Sequence, residues 1–496
     1  MSQSYFRSFI KDNALVLSGH ILIYLKGIIL LPILIKSVGI TVYGGYTLVI
    51  ATLGFLFGIS SFGAGFRCKR FLPSSVEKSA RQLLFYPQFL FQVAVIVGLS
   101  LLALSFNPLI ERHLHDFRLA IWLVPLYLLA MMIWSQSTDY FRYTNRMAYF
   151  NYSTVVHPYA FIGAVLLILS LKLKLTVNLL LASEVMVMFF ISIPLSIKML
   201  GEIGLRPCFY KIRQLAEDLK LGFPLVLTYL VDFILSGSDR YLIAAFISVT
   251  AVGYYNPAYT LGSLIMFFPR VSGVVLPPLL SRAVDNGREG EAQTMLNYTL
   301  KGFLLIAIPF VAGSYVLSEP LLTLFANAEV ASKAVLVTPI VALGILFYGL
   351  TTILNNVFFV QMKTKVMFKV SAAAAILNVL LNLIFLYFFR NVAVAAVTTM
   401  VSYLVVFLYT YRVASPMWKI DWNYKNILRS ILASIIMILV LMFIKMKLAD
   451  IAAYQIILLL SQIIIGIFIY SVVILALGVF SKKELIYLKK VFMPLH

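Results

Sequence analysis

GYYNPAYTLGSLIMFFPRVSGVVLPPLL, residues 253–280, is long and apolar enough to cross a bilayer as one helix, yet carries Arg270 near its middle. A charge at that depth costs about 2.5–3.5 kcal/mol on insertion scales, so such residues face water, a partner or a ligand. Asn256, Ser263 and Arg270 recur at steps of seven, and Thr260 follows Asn256 by four, which places all four on one helical face. Pro269 cannot donate to the carbonyl of Ile265 and predicts a bend, and with it a gating point, beside the charge. A bent, polar-striped span suggests a translocation path. The plainer reading pairs Arg270 with a buried carboxylate that holds the bundle together.

The composition requires a membrane. Of 496 residues 62% are hydrophobic and 12% charged, and the mean hydropathy is +0.97, values outside the range of ordinary soluble chains. The net charge of +21 comes from 40 basic residues scattered through short loops, with no basic domain, which argues against nucleic acid. No cleavable signal is expected in MSQSYFRSFIKDN; Tyr5, Phe6, Phe9 and Ile10 suggest a short interfacial helix. Cys68 and Cys208 lie far apart in loops and are expected to be free thiols.

Apolar runs near 15–36, 44–66, 82–106, 119–138, 153–171, 176–198, 221–247, 253–280, 297–317, 335–358, 370–389, 391–411, 430–446 and 452–478 predict an all-α polytopic membrane protein with 14 transmembrane helices. The N-terminus and the loops after even-numbered spans hold 28 of the 40 basic residues, which predicts cytoplasmic N- and C-termini. Repetition divides the chain. VYGGYTL (42–48) matches VGYYNPAYTL (252–261) at an offset of 209, superposing Gly44 on Gly253, and YTNRMAYFNYS (143–153) resembles QMKTKVMFKVS (361–371). Two pseudo-symmetric six-helix lobes follow, at 1–200 and 221–414, joined by a polar linker at 201–220 and followed by two extra helices and a tail at 415–496. No GxxxxGK[ST] phosphate loop occurs, so ATP is not expected as a fuel.

The second span carries Thr47, Ala51, Gly54, Gly58, Ser61 and Gly65 on one face of small residues. Tight helix contact explains it, and room for a bulky head group is the alternative. Lys26 lies deep in the first span and, with Arg270, offers cations for a phosphate; pairing with an acid is equally open. Asp232, Ser236 and Asp239 share a face of the seventh span next to Arg240, and Glu184 lies in the sixth. Charge pairing is the first reading of these carboxylates, and exchange of H+ or Na+ the second. His20 and His157 read as packing residues, and no catalytic triad or metal spacing stands out.

The runs LPILIKSVGITVYGGYTL, RCKRFLP, SDRYLIAAFISVTAVGYYNPAYTL and LNVLLNLIFLYFFRNVAVAAVTTMVSYL resemble polysaccharide exporters of the multidrug/oligosaccharidyl-lipid/polysaccharide (MOP) superfamily, above all Wzx-type O-antigen flippases. The resemblance implies a multi-pass protein of the bacterial inner membrane. Its two lobes open alternately to carry undecaprenyl-pyrophosphate-linked oligosaccharide to the periplasmic leaflet. It also implies a cationic cavity lined by the first, second, seventh and eighth spans, which here hold Lys26 and Arg270. Asn256, Thr260 and Ser263 would line it beside the charges. Membrane lipids and other polysaccharide-assembly proteins are the implied partners, and no cofactor beyond H+ or Na+. Lipid II flippases of the superfamily resemble the chain in span number but carry an arginine in the second span, where this chain has small residues. A multidrug extruder of the superfamily would need a cavity suited to cationic cargo. A membrane polymerase or ligase would need a sizeable outer loop, whereas the largest expected here, 107–118, is small.

Overall fold

A computed structural model describes residues 19–105, 119–447 and 455–480, apart from 20–21, 24, 28, 64, 66–67, 69–70, 73–74, 76, 145 and 209–211. The expected interfacial segment at 5–10, His20, the loop at 107–118 and the tail from 481 lie outside the described residues.

Helix α1 is described over residues 29–38, with a preceding helical turn at 25–27 that holds Lys26. The chain continues through α2 (Ile40–Ser60), α3 (Lys78–Ser105), α4 (Leu123–Tyr143), α5 (Met147–Ser170), α6 (Val177–Ile203) and α7 (Ile212–Phe246). Helix α8 comes in two pieces, Val249–Gly262 and Phe267–Asp285, joined by a 3-10 turn at Ser263–Met266. There follow α9 (Glu289–Phe325), a short helix Ala328–Ala334, α10 (Val337–Val360), α11 (Thr364–Phe389), α12 (Val392–Ala414), α13 (Tyr424–Lys447) and α14 (Gln455–Ala476). Twelve helices among the described residues are long and apolar enough to span a membrane. The fold is therefore an all-helical polytopic one, as lipid demands of a chain that must satisfy its own backbone.

Local chemistry sets the boundaries. The Thr176 hydroxyl accepts from Leu179 N at the start of α6, and Asn391 accepts from Ala393 N at the start of α12. The polar segment expected as a linker at 201–220 divides: 201–203 finish α6 and 212–220 begin α7, because IRQLAEDLK is itself a good helix former. Helix α9 runs well beyond the expected 297–317. Glu289 and Glu291 favour an early start on its N-terminal turn, and its first turns carry too little apolar residue to register as a span.

Packing divides the chain into two compact units, Met1–Gly253 and Tyr254–His496. The lobes expected from chain order are repeats; the packing units are cut at a different point, so α7 groups with the first unit. Within that unit α4 packs on α5 and α6, and α2 runs along α7. Phe85, Tyr140, Phe141, Ile191 and Ile203 form one of its buried clusters. In the second unit α12 lies between α10 and α11, α9 contacts α10 and α13, and α13 pairs with α14.

The internal repeat has a physical counterpart. Thr41 Oγ1 and Thr250 Oγ1, 209 residues apart, share a hydrogen bond of 3.0 Å. A Cβ on Gly44 would collide with the carbonyl of Val249 and lie 2.9 Å from Gly253 N, and one on Gly253 would collide with the carbonyl of Ile40. Equivalent positions of the two repeats thus meet each other, and only glycine allows the backbones so close. Just past the end of α2, Gly63 has φ 75° and lies against the backbone of Gly222.

Candidate functional site

The helical break in α8 falls where Pro269 predicts it. Proline has no N–H to donate to the carbonyl of Ile265, which sits in the 3-10 turn Ser263–Met266, and the α-helix resumes at Phe267. Along the polar face of α8, Asn256 is buried, Thr260 and Ser263 are half-buried, and Arg270 is exposed. The Thr260 hydroxyl donates to Asn256 O at 2.8 Å, and Ser263 Oγ to Thr260 O at 3.0 Å. These hydroxyls patch carbonyls upstream of the break, as serine and threonine do when a helix is interrupted in lipid.

Lys26 belongs to the first unit, and a different set of groups surrounds it. It is half-buried and within electrostatic reach of Glu184 and His157. Glu184 is 6% exposed and accepts hydrogen bonds from the hydroxyls of Tyr46, at 3.3 Å, and Tyr127. A carboxylate buried this deeply is costly unless hydrogen-bonded or charge-compensated, and here both occur. The ring of His157 packs against Trp134 with centroids 4.9 Å apart, the packing role expected of it.

Asp232 and Asp239 share a face of α7 by spacing, but the cover over that face changes along the helix: Asp232 is exposed and Asp239 is 2% exposed. Ser236 Oγ donates to the main-chain carbonyl of Asp232, and Arg240 Nη1 donates to that of Ser236.

Two networks escaped the sequence reading. In the second unit Asn378 Nδ2 donates to Thr399 Oγ1 at 2.9 Å and Thr398 Oγ1 to Asn382 Oδ1 at 2.7 Å, and both asparagines are fully buried. The i, i+4 spacing of the asparagines inside an apolar run was the available signal. In the first unit Arg146 grips Glu202 with both terminal nitrogens, one bond being 2.6 Å, while Tyr140 OH donates to the same carboxylate at 2.7 Å. That carboxylate holds the Arg146 guanidinium above its ordinary pKa. Arg146 and Glu202 are separated by 56 residues, so no local pattern announces them.

The family described as "Polysaccharide biosynthesis protein" matches residues 9–284. The chain belongs to that family. The MatE family matches residues 224–384, and together the two place the chain in the MOP superfamily. It is 27% identical over 234 residues to a Buchnera aphidicola protein named "Probable lipid II flippase MurJ", covering 45% of this chain and 42% of that one. It is 26% identical over 172 residues to the Vibrio cholerae protein of the same name, covering 33% and 32%. The matched stretch thus spans less than half the length of these curated relatives. The fold resembles solved lipid II flippase MurJ in an inward closed conformation, with TM-score 0.70 at 18% identity over 94% of this chain and 98% of that one. An inward-facing multidrug MATE transporter gives TM-score 0.58 at 13% identity over 80% and 94%.

Proposed function

We propose that this family member is a flippase for a saccharide linked to a polyprenyl diphosphate, moving it from the cytoplasmic to the periplasmic leaflet by alternating access. An undecaprenyl-pyrophosphate-linked oligosaccharide of the O-antigen type is the substrate we assign. The observation that carries the reading is Arg270, exposed on the polar face of a membrane helix and seated one turn beyond a break. A guanidinium at that depth suits an anionic head group, and a diphosphate accepts its planar fork bidentately. Lys26 supplies a second cation in the first unit, and Asn256, Thr260 and Ser263 offer polar lining beside Arg270. The polyprenyl tail loses little by staying in lipid, so only the head group needs a polar enclosure. An inside-negative potential of 100 mV would favour outward movement of uncompensated negative charge by about 2.3 kcal/mol per charge. Asp239 and Glu184, buried carboxylates, are the groups we assign to any exchange of H+ or Na+.

A second reading, a lipid II flippase, is favoured by the curated relatives and by the TM-score of 0.70. It shares the polyprenyl-diphosphate chemistry and differs in the group the diphosphate carries. Both are tested by reconstituting the full chain in vesicles and following labelled polyprenyl-diphosphate saccharides across the wall, with and without imposed pH or Na+ gradients. Faster movement of an O-antigen-type unit than of lipid II supports the first reading, and the reverse order supports the second. Movement of neither ends both.

A further inference from the structure

The small-residue face of α2 does two things. Toward Gly44 it lets the backbone of Val249 and Gly253 at the start of α8 approach closely; toward Gly58 and Ser61 it lines a cavity of about 290 Å³ wholly within the first unit. The other walls come from α3, α4 and α7, with Gln88, Gln92, Gln136, Asp139 and Tyr229 among them. The volume is roughly that of ten waters, far more than a single bridging water needs, and close to the lower limit of small-molecule sites.

The polar groups of this cavity are ordered. Gln88 Nε2 donates to Gln136 Oε1 at 3.4 Å, Gln136 Nε2 to Gln92 Oε1 at 2.8 Å, and Gln92 Nε2 to Ser60 Oγ at 2.9 Å. Every amide in the chain points the same way, so the first acceptor has nothing behind it. Gln88 is 6% exposed, lines the cavity, and its Oε1 meets no hydrogen-bond donor among the described residues. A buried acceptor left open this way costs free energy that a donor from a ligand would recover. Gly65 faces that oxygen, at 3.2 Å from where its Cβ would stand, so the approach carries no side chain. Ser135 Oγ donates to Asp139 Oδ2 at 3.4 Å, adding a carboxylate to the lining.

These groups select a ligand class. The described lining has no lysine or arginine and does have a carboxylate, which repels phosphate. Amides, a serine and a carboxylate suit a neutral molecule dense in hydroxyls, and Tyr143 and Tyr229 add aromatic faces on which a sugar ring can rest. We infer that this cavity is a saccharide subsite, taking one neutral sugar of the lipid-linked cargo and placing its hydroxyls on Gln88 Oε1, Gln136 and Asp139. The inference rests on the flippase reading and names where the sugar, as distinct from the diphosphate, is held.

The test uses the full chain in nanodiscs and two kinds of probe: bare undecaprenyl diphosphate, and the same carrier bearing a single hexose, N-acetylhexosamine or 6-deoxyhexose. The wild-type chain is expected to bind at least one sugar-bearing carrier about tenfold more tightly than the bare one. Gln136→Leu should erase most of that preference while leaving affinity for the bare carrier unchanged. Ser61→Leu, which fills the space without touching the amide chain, should do the same and covers the case in which Gln136→Leu misfolds. Preference retained in both variants, or no preference in the wild type for any sugar tried, overturns the subsite while bare-carrier binding leaves the flippase reading standing. Loss of all binding in the wild type, to bare and sugared carriers alike, overturns both.

Discussion

At the repeat offset of 209, Ser61 at the end of α2 corresponds to Arg270 in α8, and Thr47, Ala51 and Gly54 correspond to Asn256, Thr260 and Ser263. The two helices share a contact at Gly44 and Gly253 and differ in chemistry beyond it. Helix α2 runs 21 residues unbroken and has no charge, so its small side chains border an amide-lined cavity whose described lining holds no cation. Helix α8 is interrupted at Ser263–Met266 and exposes a guanidinium. In the proposed reading, equivalent positions serve as a sugar-sized space in the first repeat and an anion anchor in the second. A lipid-linked saccharide presents both chemistries on one molecule, a diphosphate and a neutral ring. The difference between the helices therefore teaches that a duplicated scaffold can divide a head group by charge.

The strongest way to break this comparison is to give α8 the residue of α2. Arg270→Ser should reduce transport of any polyprenyl-diphosphate saccharide at least a hundredfold, because a charged hydrogen-bonding pair loses both its Coulombic and its bidentate component. Protein level and melting temperature should stay close to wild type, since the exposed side chain fills no core. Transport near the wild-type rate in proteoliposomes would remove Arg270 from the binding role. Lysine at the same position should retain part of the activity, as a point charge without the planar fork.

The shared contact is tested next. Gly44→Val and Gly253→Val each push a branched side chain into backbone, against Val249 and Ile40 respectively, which no rotamer can relieve. Overpacking of this kind costs about 1–3 kcal/mol. Both variants should melt several degrees lower in detergent, and by similar amounts if the two repeats contribute equally to the crossing. A drop confined to one of them would show that the pairing of Thr41 with Thr250 is a one-sided contact.

Lys26 separates charge balance from ligand binding within the first unit. Lys26→Met leaves Glu184 with its two tyrosines and without its nearby cation, and Glu184→Gln removes the carboxylate that needed compensating. The double variant should recover much of the stability lost in Lys26→Met, with a coupling on the order of 1 kcal/mol, yet should not recover transport. Recovery of both would reduce Lys26 to a counter-charge and leave Arg270 as the anion anchor.

Much of the arrangement was legible in the chain. Periodicity and Pro269 located the spans and the break in α8, and the repeat marked Gly44 and Gly253 as equivalent positions, though not that they would touch. The residues that stayed hidden act through tertiary neighbours far away in sequence. Gln88, Gln92 and Gln136 look like stray polar residues in apolar runs until α3 and α4 bring them into register, and Glu184 is explained only by Tyr46 and Tyr127. The face of α2 allowed two readings, contact or space, because small side chains say nothing about what stands opposite. Along this helix both occur, with Tyr229 OH donating to Gly54 O at 2.8 Å between them.

The smallest effect probes the neutral side of the comparison without altering it. Cys68, in the segment after α2, is 3% exposed, and burial, then the nearby Asp139 carboxylate, push its thiol from 9.0 up to about 12. Only the thiolate alkylates, and at pH 8 roughly one part in ten thousand of such a thiol is ionised. Cys208 is only partly buried, so a maleimide at pH 8 should label it at least tenfold faster than Cys68. The raised value also fixes the sign of the pH dependence. The proton is held more tightly in the fold, so the stabilisation is intact below pH 9 and drains away as pH climbs toward 12. Because Asp139 lines the amide cavity, Asp139→Asn should leave Cys68 buried yet ionising at lower pH, quickening its alkylation a few-fold between pH 9 and 10. Equal labelling of both cysteines at pH 8 would mean that the wall between Cys68 and the cavity opens in solution, and the neutral subsite would then lose the enclosure that distinguishes it from the exposed cation on α8.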